Sequence, residues 1–204
     1  MSDVSVQIET LPDGREVVVI GDPHKFAELN DRQGVNDLGF QGTCGLASVK
    51  NILGQFGIEA TENDVVRYAA ENGLCNVSDD PSACGGTSML GQTDLLIHYG
   101  IPAEAQIGMG AEDLADAVET GRGIIAEVNA GILWNDPSAF DSGSANHAVT
   151  VTGVARDPGT GSVAGFFIND SGPPDSGRFV DIDSWGNAWR ETGGCAVVTS
   201  VPYA

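Results

Sequence analysis

The chain has 204 residues, 41% of them hydrophobic, which suffices for one domain whose core depends on neither metals nor disulfides. Twenty-nine acidic residues against nine basic ones leave a formal charge of −20, which argues against nucleic acid and anionic membrane as partners, since both need basic surface. No apolar run approaches the roughly 20 residues of a membrane span, and Met1–Thr10 has neither the basic nor the apolar region of a signal peptide. That leaves a cytoplasmic chain, export by another route, or a mature or excised form. The acidic residues are spread along the chain, as on a well-solvated surface; the sharper alternative is an acidic groove that draws in a basic peptide.

Residues 1–35 read as a β-rich N-terminal extension. Val4 to Ile8 alternates, Asp13-Gly14 marks a turn, and Val17 to Ile20 is a second strand. From Gln41 the period becomes helical: Leu46, Val49, Leu53 and Phe56 recur on one face and Gly57 is a stop. Thr61 is a natural N-cap for a second helix carrying Val65, Val66, Tyr68 and Ala69. A loop over 73–87 precedes a third helix from about Ser88 to Tyr99, and a fourth runs from about Glu112 to Glu119. Strands follow at Ile124–Val128 and His147–Val154, then the turn Asp157-Pro-Gly-Thr-Gly, then Phe166–Asp170, Phe179–Ile182 and Cys195–Val201. A helical turn around Trp185 and Trp189 interrupts them, with both rings expected to pack against the sheet. Helices first and an antiparallel sheet afterwards make residues 36–204 a single compact α+β domain.

The cysteines, at 44, 75, 84 and 195, form no C-x-x-C pair, so no metal or redox motif is expected and no cofactor is implied. Cys75 and Cys84 bracket a polar loop; a disulfide there would imply an oxidising compartment, and two free thiols fit the spacing as well. Cys195 reads as a buried strand residue.

Cys44 stands just before the first helical period, between glycines, in Gln41-Gly-Thr-Cys-Gly. A helix N-terminus carries partial positive charge and unpaired N–H groups, which favour thiolate over thiol and can hold an oxyanion. The glycines, Gly45 among them, would let a substrate backbone approach. Of three histidines, His24 lies in the polar lead-in and His98 at a helix end, whereas His147 opens a strand after a flexible polar run, the place for a general base. Folding the strand back about Pro158-Gly159 brings Asp170 opposite His147, or one register step away on the same face. A carboxylate there would hold one imidazole nitrogen while the other meets the thiol. Trp134 is expected on the lip of the cleft, and Asn146 and Asn169 flank the base and its orienter.

These segments resemble a known family. Gln41-Gly-Thr-Cys-Gly-Leu-Ala-Ser-Val-Lys-Asn-Ile-Leu, Gly86-Thr-Ser-Met-Leu-Gly, Asn146-His-Ala-Val-Thr-Val and Phe167-Ile-Asn-Asp-Ser-Gly are similar to the bacterial double-glycine leader peptidases, a papain-like branch that trims bacteriocin precursors. The resemblance, over roughly Asn36 to Val201, implies a papain-like fold and a cysteine peptidase with Cys44 as nucleophile, His147 as base and Asp170 as orienter, acting on a peptide or protein through a thioester. In the family the oxyanion glutamine usually lies six residues before the cysteine, where this chain has Leu38; Gln41, three before, is the expected donor, with Gln33 or another donor as the alternatives. Alignment on plant papain would instead put Ala47 at the nucleophile. The family's usual fusion to a membrane transporter is not seen in this sequence. With the acidic surface, this leads to the expectation of an exported bacterial effector or toxin, opposed by an inhibitor or immunity protein. The same triad would also serve a glutamine deamidase or a transglutaminase-like acyl transferase, and a triad that no longer works would leave a papain-fold binding module.

Overall fold

The computed structural model describes residues 4–173 and 175–203; the first three residues of the N-terminal extension, Pro174 and Ala204 lie outside the described residues. In chain order the elements are β1 (Val6–Thr10), β2 (Glu16–Gly21), α1 (Pro23–Ala27), α2 (Cys44–Gln55), α3 (Glu62–Glu71), α4 (Met89–His98), β3 (Ala103–Gln106), α5 (Ala111–Glu119), β4 (Arg122–Val128), α6 (Ala130–Leu133), β5 (His147–Arg156), β6 (Val163–Asp170), β7 (Asp175–Asp181), α7 (Ile182–Trp185) and β8 (Ala196–Pro202). None of the described helices is long and apolar enough to cross a membrane.

The fold is the mixed helix and antiparallel-sheet architecture expected, with α2 packed on the sheet. The sheet is organised around β5. One edge of β5 pairs with β6; the other pairs with β4 along His147–Val151 and then with β2 along Gly153–Arg156. Beyond β4 lie β8 and β3, and beyond β6 lies β7. The N-terminal hairpin is therefore hydrogen-bonded into the same sheet. The chain turns out of β2 at Gly21 (φ +114°), where an added Cβ would sit 2.7 Å from the Thr152 carbonyl oxygen, so a side chain has no room there.

Strand alternation sends side chains to two helical layers. Ile124 and Ala126 of β4 meet Leu114, Val118, Trp185 and Trp189 on one face, while Ile125 between them meets Leu46, Ile52, Leu53, Val65 and Leu95 on the other. Both tryptophans are buried, as the packing expectation required. Each fully buried leucine or isoleucine on α2 stabilises the fold by roughly 1.5–3 kcal/mol relative to exposure. That burial, not a side-chain cap, holds α2 in place: Thr43 at its N-cap makes no capping hydrogen bond.

Candidate active site

The N-terminus of α2 and the start of β5 meet at one cleft of about 490 Å³. Cys44 and His147 both line it, together with Gln33, Gly42, Gly86, Thr87, Glu127, Trp134 and Asn146. Cys44 is the first residue of a 12-residue helix, so its first-turn N–H groups and the positive end of the helix dipole face the cleft mouth.

Behind the cleft, His147 Nε2 lies 2.7 Å from Asp170 Oδ1. The imidazole is 4% exposed and the carboxylate 0%. A bulge at Thr152 shifts the β5–β6 ladder, and continuing from Thr150 opposite Asn169 sets Asp170 level with Val149. Asp170 is thus two residues along from His147 on the same face, a diagonal neighbour. With Nε2 committed to Asp170, Nδ1 is the nitrogen left for Cys44.

Three donors converge on Asp170. His147 Nε2 and the Gly172 amide (3.0 Å) meet Oδ1, and Trp134 Nε1 donates to Oδ2 at 2.7 Å. Burial alone would raise this carboxyl, but the His147 hydrogen bond and charge, with Trp134 and Gly172, hold it below the usual carboxylate range. Burial likewise pulls the imidazolium down, and hydrogen bonds and negative charge from Asp170 and Cys44 more than reverse it, raising His147 to about 10. Trp134 lines the cleft as expected, but its larger task is inward: its ring lies edge-on to His147 (centroids 5.0 Å apart) while its N–H fixes the carboxylate.

Two expected cleft residues are placed otherwise. Gln41 is exposed and its Nε2 donates to the Gly34 and Gly39 carbonyls, so its amide braces the loop and lies outside the cleft. Gln33, the alternative, does line the cleft. Its Oε1 accepts from Ser171 Oγ at 3.2 Å and its Nε2 donates to the Gln41 carbonyl at 3.1 Å, which leaves a second N–H. Gly45 is not among the residues that line the cleft: an added Cβ would lie 2.6 Å from Thr87 Cγ2 and 2.7 Å from Gln92 Nε2. Its missing side chain makes room for Gln92.

Asn146 borders the cleft with its side chain accepting from the Ala130 amide and donating to the Ala139 carbonyl, which closes the 130–146 loop. Asn169 bridges α1, α2 and β7 through Phe26, Asn51 and Gly177. Cys75 and Cys84 are free thiols. His24 pairs with Glu9 and His98 stacks on Tyr68 at 3.7 Å, which accounts for both structurally.

The sequence profile of the Peptidase_C39 like family matches residues 15–197. The chain belongs to that family. Among solved structures, a C39-like peptidase from Bacillus anthracis is similar over 87% of this chain and 97% of its own, with a TM-score of 0.59 and 15% identity. The peptidase domain of Streptococcus ComA, a bifunctional ABC transporter involved in quorum sensing, is similar over 78% of this chain and 90% of its own, with a TM-score of 0.50 and 16% identity. At such identities these likenesses speak to the fold, which is that of the C39 peptidases. No curated protein sequence matches the chain. The family membership bears out the resemblance to the double-glycine peptidase branch.

Two carboxylates went unforeseen, one lining the cleft and one anchoring the loop before Cys44. Glu127 is a lone carboxylate within the apolar strand Ile124-Ile-Ala-Glu-Val, a pattern that marks a partly buried charge with a task. Glu62, at the first position of α3, is buried and accepts from the Gly34 and Val35 amides, Asn36 Nδ2 and Thr43 Oγ1 (2.7 Å), which ties down the loop leading to Cys44.

Proposed function

We propose that this C39-family protein is a cysteine peptidase that cleaves peptide or protein substrates through Cys44, His147 and Asp170. The observation that carries the reading is the shared cleft, with Cys44 at the start of α2 and a buried His147–Asp170 pair behind it. The thiolate attacks the scissile carbonyl carbon, forming a C–S bond. The oxyanion takes the first-turn N–H groups of α2 and the free N–H of Gln33. His147 gives its Nδ1 proton to the leaving amine as the C–N bond breaks, leaving a thioester. Water, deprotonated by the now neutral His147, then attacks the thioester and releases the acid and the thiol. Asp170 keeps Nε2–H as the donor on the far side and supports the imidazolium. Trp134 covers that contact from water.

Graded alkylation tests the first step. At pH 6.5–7, iodoacetamide should modify Cys44 at least about tenfold faster than Cys75 or Cys195, by peptide mass spectrometry. Burial raises both of those thiols, so their alkylation should rise only at higher pH. Cys44→Ala should abolish cleavage of a randomised peptide pool with its melting temperature preserved. A Cys44 that alkylates no faster than the other two would remove the nucleophile from the reading.

A further inference from the structure

Glu127 lies on β4 opposite Ala148, the residue after His147, and its side chain lines the cleft. Oε1 accepts a 2.7 Å hydrogen bond from Gln92 Nε2, and Oε2 has no hydrogen-bond partner among the described residues. Burial raises this carboxyl, against Gln92 and His147, so ionising it without a counter-charge is costly. None of the side chains lining the cleft belongs to lysine or arginine. Lys50, Arg67, Arg156 and Arg178 are paired elsewhere, with Asp31, Asp37, Glu112 and Glu119, and Asp175. Of the other residues lining the cleft, Gly42, Gly86 and Ala148 bring no side-chain donor, and Thr87 Oγ1 donates to the Leu74 carbonyl at 2.7 Å. The triad does not need Glu127 either, because Asp170 already occupies Nε2. What remains is a held carboxylate with one oxygen open to the cleft; the charge of His147 favours its ionised form, but that imidazole is committed to Asp170 and Cys44 and makes no hydrogen bond to Glu127.

We propose that Glu127 is a specificity residue: the arm of the cleft between Gly86-Thr87 and Ala148 takes a lysine or arginine side chain of the peptide, close to the scissile bond, and Glu127 receives its charge. This rests on the peptidase reading and adds the substrate class to it. An incoming ammonium or guanidinium supplies the donors that Oε2 lacks and repays the desolvation of the carboxylate. Gln92 is the positioning residue. It is fully buried, and it fits only because Gly45 has no side chain.

The test uses the full chain and two readouts. A randomised peptide pool is digested and the products sequenced by mass spectrometry. In parallel, Cys44 is labelled with peptidyl vinyl sulfones that differ only in carrying lysine, norleucine or glutamate at each of the three residues before the warhead. Lysine and arginine should be enriched at a single position among the three on either side of the cut, and, where that position precedes the cut, lysine should exceed norleucine there by about tenfold or more in the second-order rate of Cys44 labelling, as for a charge-assisted hydrogen bond. In Glu127→Gln, which keeps the size and a partner for Gln92, the lysine-to-norleucine ratio should fall to near one, and Glu127→Lys should turn the preference toward glutamate. Reaction with no charge preference at any position in the wild-type protein overturns the inference and leaves the peptidase reading standing, and no variant is needed to see it. A preference for lysine that survives in Glu127→Gln likewise overturns it. Failure of every probe to label Cys44, with no peptide cut, removes the peptidase reading and the subsite together.

Discussion

Asp170 shows why one residue type is demanded at the back of this cleft. Its neighbours His147 Nε2, Gly172 N and Trp134 Nε1 all present hydrogens, two to one oxygen and one to the other. Only a carboxylate accepts on both sides. An asparagine would have to turn its NH₂ toward either the indole or the imidazole, setting donor against donor. Asp170→Asn should therefore lower kcat/KM by about 10²-fold at neutral pH. It should also move the alkaline limb of the pH profile. The raised imidazolium is present below about 10 and lost above it, and the Asp170 carboxylate is one cause of the rise, so removing its charge shifts the limb to lower pH. Trp134→Phe in the Asp170→Asn background deletes the opposing donor and keeps the ring, and should recover part of the lost rate. A double mutant slower than both single mutants would mean that the indole N–H does not set the carboxylate's role. The measurement is kcat/KM from pH 5 to 10.5 for the four proteins.

Among the elements, the loop of residues 30–43 decides whether α2 presents Cys44 correctly, and Glu62 is its anchor. Four donors from that loop meet this one buried carboxylate. Glu62→Gln keeps the volume but points an NH₂ at backbone N–H groups, so a cost of roughly 1–3 kcal/mol is expected in urea unfolding, with faster amide exchange at Gly34 and Val35. Peptide cleavage should fall further than stability requires, since Gln33 sits at the start of the same loop. Such an anchor was not legible in the sequence, because its partners are backbone amides 27 and 28 residues away. What was legible was local or hairpin-coupled. Thr61 caps α3 as its residue type suggests, α2 ends at Gln55 with Phe56 as its C-cap before Gly57 (φ +71°), and the turn after Arg156 sets the β5–β6 register to within one step. The short strand β3 and the helix α1 went unseen, since a four-residue edge strand and a five-residue helix carry too little periodicity to stand out. Gln41 and Gly45 misled for a related reason. Spacing from Cys44 says which residues are near in sequence, while the side of the helix start that each one faces is set by Gln92 and the Gly34–Gly39 loop.

Charge acts across the molecule. With 29 acidic and nine basic residues, the folded chain concentrates like charge that the unfolded chain spreads out. The most exposed ion pairs do little to offset this: Arg15–Asp13 and Arg67–Asp37 are more than half exposed on both sides, and such pairs contribute about 0–1 kcal/mol. Other carboxylates are placed well locally. Asp64, Asp80, Asp136 and Asp157 accept hydrogen bonds from turn or cap groups, which hold them below the usual range. A lowered carboxyl stabilises the fold above its unfolded value near 3.8, and that contribution is lost as pH falls through the folded value. At pH 7 these local gains are therefore complete, and the long-range repulsion is what salt can still change. Raising NaCl from 0.01 to 1 M shortens the screening length from about 30 to about 3 Å, which removes repulsion between distant carboxylates and leaves hydrogen-bonded contacts largely intact. The melting temperature at pH 7 should rise, by about 2–4 °C for each kcal/mol of repulsion relieved at this chain length. Sodium sulfate matched in ionic strength separates screening from the general strengthening of burial by excluded salts, which would exceed the chloride effect. A melting temperature that stays flat or falls in NaCl would show that local pairing, not net charge, governs the acidic surface.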